Sequence, residues 1–159
     1  MKFFDLEKDN DADETVTVLS IKREHDPRIL KELNLASINS YFHIIRLRCS
    51  NNTPVQLHHT YLVSEYFNQV ALKEPSYYES IYEKIRQDSG IDLFSTPSDE
   101  TTGILFPAPQ QVKTLLQLQS EQQPIAYIRR HSYLFDDKAI EYVESYKRWD
   151  YFKIKIKTV

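Results

Sequence analysis

Hydrophobic and polar side chains alternate along residues 44–62, with one short polar interruption. On the first arm of this stretch, Arg46 and Arg48 fall on one face. The opposite face is apolar: Ile45, Leu47 and Cys49. A period of two is typical of a half-buried β-strand, and the polar residues 50–54 are typical of a turn. The stretch therefore predicts a β-hairpin.

The register of this hairpin follows from sorting its two faces. A two-residue loop at Asn51 and Asn52 places apolar side chains opposite polar ones. A three-residue loop, residues 51–53, separates the two classes. It predicts these pairs: Cys49 with Val55, Leu47 with Leu57, Arg48 with Gln56, and Arg46 with His58. We therefore expect one polar face that carries both arginines.

The same patterns predict the other elements of the chain. Five further strands are expected: residues 15–21, 101–106, 125–135, 139–147 and 152–157. Helices are expected where a cap or a proline precedes an apolar stripe: after Asp26-Pro27, from Ser76 to about Gly90, and after Pro107-Ala108-Pro109. In the connection before Ser76, three side chains are expected to point inward: Tyr66, Phe67 and Val70.

The two predicted hairpins, residues 41–59 and 126–144, echo each other in sequence. Each has an apolar strand bearing arginines, then a polar turn, and each is preceded by a helix. This arrangement predicts an α+β fold, with a single antiparallel sheet of about six strands and helices packed on it.

Composition limits the class of protein. A length of 159 residues with 41% hydrophobic residues fits one globular domain. We expect residues 1–14, which are acidic, to be a linker remnant or disordered lead-in, and residues 15–159 to form the domain. A net charge of -3 argues against nucleic-acid binding by this chain.

Several kinds of site lack the residues they require. The only glycines, Gly90 and Gly103, cannot build a glycine-rich phosphate loop, and the lone Cys49 excludes a disulfide framework. No metal spacing occurs among the five histidines, so no metal or cofactor is expected. Glu141 and Glu144 should lie on opposite faces of a strand, which disfavours paired acid-base catalysis. With no signal peptide or apolar span, we expect a cytoplasmic protein without membrane contact.

Two features are candidates for anion binding. Arginines two residues apart, about 7 Å along a strand, can hold one small anion from two sides; the alternative is a solvated outer face. Ser80 lies near the start of the predicted helix, where free N–H groups favour an anion. In the alternative there, Ser76 and Glu79 cap the helix and the Glu79 carboxylate repels a phosphate.

The order and spacing of several segments resemble the UTRA domain, the effector-binding domain of HutC-type GntR transcription regulators. These segments are DPRILKELNL, IIRLRCSNNTPVQLHHTYL, ESIYEKI, VKTLLQL and IEYVESYKRWDYFKI, and they span about residues 15–157. The resemblance implies a chorismate lyase fold. It also implies a sensor, active as a homodimer, for a sugar phosphate or similar anionic metabolite. DNA binding would belong to an N-terminal winged helix-turn-helix domain that is not in this chain, which is then an excised domain or a stand-alone sensor.

The resemblance also assigns roles to residues. Arg46 and Arg48 match the arginines that hold the phosphate, and Ser80 and Tyr82 match the Ser-x-Tyr pair that completes that site. His58 stands where binders of amino-sugar phosphates have a glutamate, and it cannot pair an ammonium group as a carboxylate does. Glu141 matches a second polar position of the pocket, whereas Lys147 departs from the usual aromatic. Two other classes remain open: a chorismate lyase-like enzyme and a dimerisation module without a ligand.

Overall fold

The computed structural model describes residues 13–120, 122–134 and 136–158. Six strands form one antiparallel sheet in the order β1-β2-β3-β6-β5-β4. Their bounds are β1 Glu14–Glu24, β2 Tyr41–Ser50, β3 Thr53–Val63, β4 Ser98–Leu105, β5 Ile125–Tyr133 and β6 Ala139–Arg148. The predicted fold class, α+β on a single antiparallel sheet, is therefore confirmed.

Three short α-helices pack on this sheet: α1 Pro27–Glu32, α2 Ile81–Ser89 and α3 Gln110–Leu115. Single turns of 3₁₀-helix occur at Ser64–Tyr66, Gln69–Leu72, Pro75–Tyr78 and Trp149–Tyr151. The predicted start of α1 is confirmed, because the Asp26 carboxylate accepts a hydrogen bond from the Arg28 backbone N–H at 2.9 Å. No helix among the described residues is long and apolar enough to cross a membrane.

The two faces of the sheet bear different helices. We call the side that carries Arg46 and Arg48 the arginine face; α2 lies over it, with Ile81 and Ile85 buried. Helices α1 and α3 cover the opposite face, where Val112 of α3 packs against Leu57. The sheet therefore lies between two partial layers of helices, and each of its faces can hold its own cluster of polar residues.

The central hairpin keeps the predicted register where it matters for the site. Arg46 lies opposite His58 and Arg48 opposite Gln56. The predicted three-residue loop is wrong. Asn51 and Asn52 alone form the turn, with φ of 47° and 66°, and a bulge on β3 pairs Cys49 with Pro54 instead of Val55. The extra residue restores the alternation that a plain two-residue loop would destroy.

The predicted helix from Ser76 is wrong in its first turn. Residues Pro75–Tyr78 form a 3₁₀ turn, and α2 begins only after Ser80, whose backbone is extended. Tyr78 is buried, and its hydroxyl accepts a hydrogen bond from the Asn68 N–H at 2.8 Å. The Glu79 carbonyl accepts from Arg46 at 3.1 Å. Tertiary contacts therefore override the local capping signal.

Two other predictions are wrong: the last strand and the burial of Val70. Alternation and apolar composition do not specify which segment a residue will pack against. Residues 152–157 form no strand, although apolar residues and lysines alternate there. β6 already has β3 and β5 on its two sides, so the chain that follows it leaves the sheet through the turn Trp149–Tyr151. In the connection before α2, Phe67 is buried as expected, but Val70 is 47% exposed.

The expected lead-in, residues 1–14, lies outside the described residues except for its last two. Asp13 donates its backbone N–H to the Asn51 side chain at 2.9 Å, and Glu14 is the first residue of β1.

Candidate functional site

The side chains of Arg46 and Arg48 project from β2 on the same face of the sheet, and each contacts a different residue. Nη1 of Arg46 donates to the Glu79 carbonyl at 3.1 Å, across the gap to the start of α2. Nη1 of Arg48 lies 3.7 Å from the Glu14 carboxylate on β1. The Nε atoms of both arginines are buried without a hydrogen-bond partner among the described residues. Both guanidinium groups therefore retain donors for a ligand.

The start of α2 lies beside these arginines. Ser80 is the N-cap residue, directly after the carbonyl that Arg46 contacts, and its exposed side chain makes no capping hydrogen bond. Tyr82, in the first turn, donates its hydroxyl to Glu141 on β6. The structure thus brings the Ser-x-Tyr pair and the arginines of β2 to one region of the arginine face.

Glu141 is a buried carboxylate that is only half satisfied. It is 1% exposed. Oε1 accepts hydrogen bonds from Tyr82 and, at 3.2 Å, from Ser132, and it lies 3.7 Å from the Arg130 guanidinium. Oε2 has no partner among the described residues. Burial raises the pKa of Glu141, opposed by the charge of Arg130, the Ser132 hydrogen bond and Arg46.

His58 lies at the centre of the arginine face as a neutral group. Its Nδ1 is hydrogen-bonded to the Ser145 hydroxyl at 2.8 Å, and its Nε2 is buried without a partner in the described part of the chain. Burial lowers the pKa of His58 well below its ordinary value, and four nearby cations lower it further: Arg46, Arg48, Lys147 and Arg130. The ring is uncharged at neutral pH, so it offers a hydrogen bond without adding charge.

The site carries an excess of positive charge in a desolvated setting. Burial lowers the pKa of Arg46 to about 10, and Arg48 and Arg130 act in the same direction while Glu141 opposes them. Burial and Arg48 also lower the pKa of Lys147. Cations that share a partly dry region without enough counter-charge are costly, and an anion placed among them would relieve that cost.

A model of the UTRA domain matches residues 12–153 of the chain. The chain belongs to the UTRA domain family. Among curated proteins, none matches the sequence significantly. Membership of the family supports a ligand-sensing regulatory role for this UTRA domain.

Solved structures share the fold of this UTRA domain. PhnF from Mycobacterium smegmatis matches with a TM-score of 0.79 at 22% identity, over 93% of this chain and 64% of that one. The ligand-binding domain of a proposed GntR-family transcriptional regulator from Bordetella bronchiseptica matches with a TM-score of 0.78 at 18% identity, over 95% of this chain and 92% of that one. YydK from Bacillus subtilis, a proposed transcriptional regulator, matches with a TM-score of 0.77 at 17% identity, over 94% of this chain and 63% of that one. The chain thus spans less than two thirds of PhnF and of YydK.

Sequence reasoning missed three polar residues of this UTRA domain's arginine face: Arg130, Ser132 and Ser145. The β5–β6 pairing places Arg130 opposite Val143, and β3 connects that row to Ile44, two residues before Arg46. Because both strands of the second hairpin carry apolar residues on both faces, their alternation left the register open. The pairing with β3 was the missing information.

The described cavities lie elsewhere. One of about 600 Å³ is lined near the end of α2 by Gly90, Ile91, Asp92, Ser95, Thr96, Leu134 and Asp136. Another of about 390 Å³ adjoins α1 and includes Pro27, Leu30 and Lys31. No cluster of the described His, Cys, Asp and Glu side chains could hold a metal ion. Within the described residues, neither cavity is lined by buried polar atoms without partners, whereas the arginine face has several. We therefore place the candidate site on the arginine face.

The opposite face of the UTRA domain has its own polar network. Glu144 lies there, as the alternation predicts, and accepts hydrogen bonds from Arg28 at 3.1 Å and from Tyr127. Nearby, His43 lies 3.0 Å from the Glu24 carboxylate and 2.8 Å from His59. Both contacts are satisfied when Nδ1–H of His43 donates to Glu24 and Nε2 of His43 accepts from Nδ1–H of His59. Every buried group of this network has a partner, which is typical of a structural role.

This network predicts an acid-sensitive fold. Burial, with a smaller contribution from His43, lowers the pKa of His59 to about 4. The unfolded chain binds a proton at this histidine near pH 6.5, whereas the folded chain does not. Stability is therefore full above pH 6.5 and is lost as the pH falls toward about 4, by about 3 kcal/mol for this group. Urea unfolding of the wild type and of His59→Gln between pH 7.5 and 4.5 should show a shallower loss in the variant.

Glu141 has a raised pKa and acts in the opposite direction, but it is present in both proteins and cancels from the comparison. His25→Gln, at an exposed histidine, is the matched control and should follow the wild type. Equal pH dependence of His59→Gln and wild type would contradict the prediction.

Proposed function

We propose that this UTRA domain senses a small phosphorylated sugar, or a similar anionic metabolite, bound on its arginine face. One observation carries the proposal. Beside the start of α2, Arg46 and Arg48 keep buried N–H groups that have no partner among the described residues. Buried donors without partners cost free energy unless a ligand satisfies them.

The proposed contacts divide the site into two parts. The phosphate oxygens accept charge-assisted hydrogen bonds from Arg46, Arg48 and the Ser80 hydroxyl. Tyr82 joins them when its hydroxyl proton turns from Glu141 to the phosphate. Each such bond is worth about 1.5 to 3 kcal/mol when well formed. α2, with nine residues, adds the favourable end of its dipole. Ser80 is well suited to this role, because its hydroxyl is not engaged in capping the helix.

The sugar part of the ligand is placed against His58 and the free oxygen of Glu141. His58 offers Nε2 as a neutral donor or acceptor, depending on tautomer, and Glu141 Oε2 accepts a hydrogen bond from a hydroxyl. A neutral histidine gives an ammonium group no attraction, and the four cations around it outnumber the single Glu141 carboxylate. The proposed ligand is therefore a hydroxylated phosphate without an amino group.

Regulation would follow from coupling to other parts of the full-length protein. We propose that the domain works as a homodimer joined at its N-terminal end to winged-helix DNA-binding domains. Ligand binding would select one arrangement of that dimer and so change the spacing of the DNA-binding domains. The ligand can shift this equilibrium only by its difference in affinity for the two arrangements.

A thermal-shift screen of sugar phosphates, followed by calorimetry, tests the proposal. A true ligand raises the melting temperature, since binding to the folded state alone stabilises it by mass action. The unphosphorylated sugar is the matched control and should give no shift. Chorismate serves as a second control, and release of pyruvate from it would reveal an enzyme instead of a sensor. No stabilisation by any phosphorylated sugar or acid would overturn the proposal.

A further inference from the structure

Lys147 is a fourth cation of the arginine face, and the contacts proposed above do not use it. It lies on β6 opposite Gln56 of β3, which in turn lies opposite Arg48 of β2. The three side chains therefore project from the same face in one row across the sheet. Lys147 is half-buried, and Gln56 beside it is buried.

The polar contacts of the two arginines lie on elements other than β6, which carries Lys147. Arg48 reaches toward Glu14 on β1, and Arg46 reaches toward the Glu79 carbonyl at the start of α2. Lys147 is two strands from Arg48, which corresponds to about 10 Å between their backbones. His58, with its unpartnered Nε2, lies on the strand between them. A single phosphate held by the arginines would therefore not contact Lys147, which lies on the far side of the site.

The described residues supply little counter-charge for Lys147. Glu141 is engaged by Tyr82, Ser132 and Arg130, and Glu14 lies nearest Arg48. Burial and the charge of Arg48 lower the pKa of Lys147, and only Glu14 raises it. A lysine held in such a place is a poor contributor to the stability of the free protein. It is well placed to bind a negative group of a ligand.

Resting on the phosphate site proposed above, we propose that Lys147 binds a second anionic group of the effector, separate from the phosphate held by Arg46 and Arg48. The ligand class is then a phosphorylated acid or a bisphosphate, with its two anionic groups at opposite ends of a short hydroxylated chain. His58 and Gln56, on the strand between the two cationic positions, face the hydroxyls of that chain.

Matched ligand pairs that differ by one anionic group test this inference. Glucitol 6-phosphate and 6-phosphogluconate differ only in a terminal hydroxymethyl or carboxylate group; glycerol 3-phosphate with 3-phosphoglycerate and glucose 6-phosphate with glucose 1,6-bisphosphate extend the series. In at least one pair, wild-type protein should bind the member with two anionic groups about tenfold to a hundredfold more tightly by calorimetry. Lys147→Met should abolish that preference and leave the affinity for the monophosphate nearly unchanged. Lys147→Arg should retain the preference.

The controls separate this inference from the proposed function. Lys22→Met, on an exposed lysine of β1 that pairs with His43 on the opposite face, should bind every ligand as wild type does. If Lys147→Met weakens both members of a pair equally, or changes neither, the second anionic contact is overturned and the phosphate site stands. If wild type binds no member of any pair, the proposed function fails, and the inference fails with it.

Discussion

Replacing Arg46 by methionine is expected to weaken binding of the phosphorylated ligand about a hundredfold or more. The guanidinium of Arg46 reaches the start of α2 and still has an unpartnered buried Nε. Loss of two charge-assisted hydrogen bonds to phosphate, at about 1.5 to 3 kcal/mol each, removes at least about 3 kcal/mol of binding free energy. That corresponds to a factor above one hundred in Kd. Calorimetric titration with the ligand found in the screen measures it.

The same substitution should raise the melting temperature of the ligand-free protein. Burial, together with Arg48 and Arg130, lowers the pKa of Arg46 to about 10, so its charge is poorly solvated where it lies. Methionine keeps much of the apolar stem and removes that charge, at the loss of one hydrogen bond to the Glu79 carbonyl. A net gain of about 1 kcal/mol is expected.

Arg129→Met is the matched control for Arg46→Met. Arg129 is an exposed arginine of β5, paired with Glu144 on the opposite face of the sheet. Its replacement should change neither the Kd nor, by more than about 0.5 kcal/mol, the stability. Unchanged ligand binding by Arg46→Met would remove this residue from the site, whereas loss of both binding and stability would indicate a structural role.

The hairpin shows why part of the site could be predicted from the sequence. Because one face of β2 is apolar and the other carries arginines, only one register keeps Leu47 opposite Leu57 and Arg46 opposite His58. The structure keeps that register despite a different loop and a bulge. Burial of the apolar face fixes the register, and the turn adapts to it. Residue periodicity is therefore informative about faces and less informative about loops.

The unpredicted parts depend on contacts between segments far apart in the chain. Ser76 and Glu79 have the spacing of a capping box, but the chain there is held by Arg46 from β2 and by Asn68. Arg130 joins the site only because β5 pairs with β6 and β6 pairs with β3. Residues 152–157 alternate as a strand does, yet they pair with no strand of the described chain, and β6, which precedes them, already has a neighbour on each side. The local pattern limits which secondary structures a segment can adopt. Pairing with distant strands then decides which of those structures forms.

Replacing Phe42 by alanine is expected to cost about 3 to 5 kcal/mol of stability and also to weaken ligand binding. Phe42 is buried on the arginine face and stacks on Phe67, with ring centroids 3.6 Å apart. Phe67 in turn contacts the ring of Tyr78 at 5.4 Å. Tyr78 is the last residue before Glu79 and Ser80, so this aromatic series holds the start of α2 against the sheet. Chemical denaturation and calorimetry below the melting transition measure the two effects.

Leu116→Ala distinguishes a local effect on the site from general destabilisation. Leu116 is fully buried on the opposite face, against Leu57 and Ile125, and its truncation should cost about 2 to 5 kcal/mol. Because it does not contact α2, ligand affinity should stay near that of wild type while the protein is folded. In Phe42→Ala the freed space lets the start of α2 move relative to Arg46, so the Kd should rise severalfold. Equal affinities of the two variants would show that the aromatic series supports the fold without positioning the site.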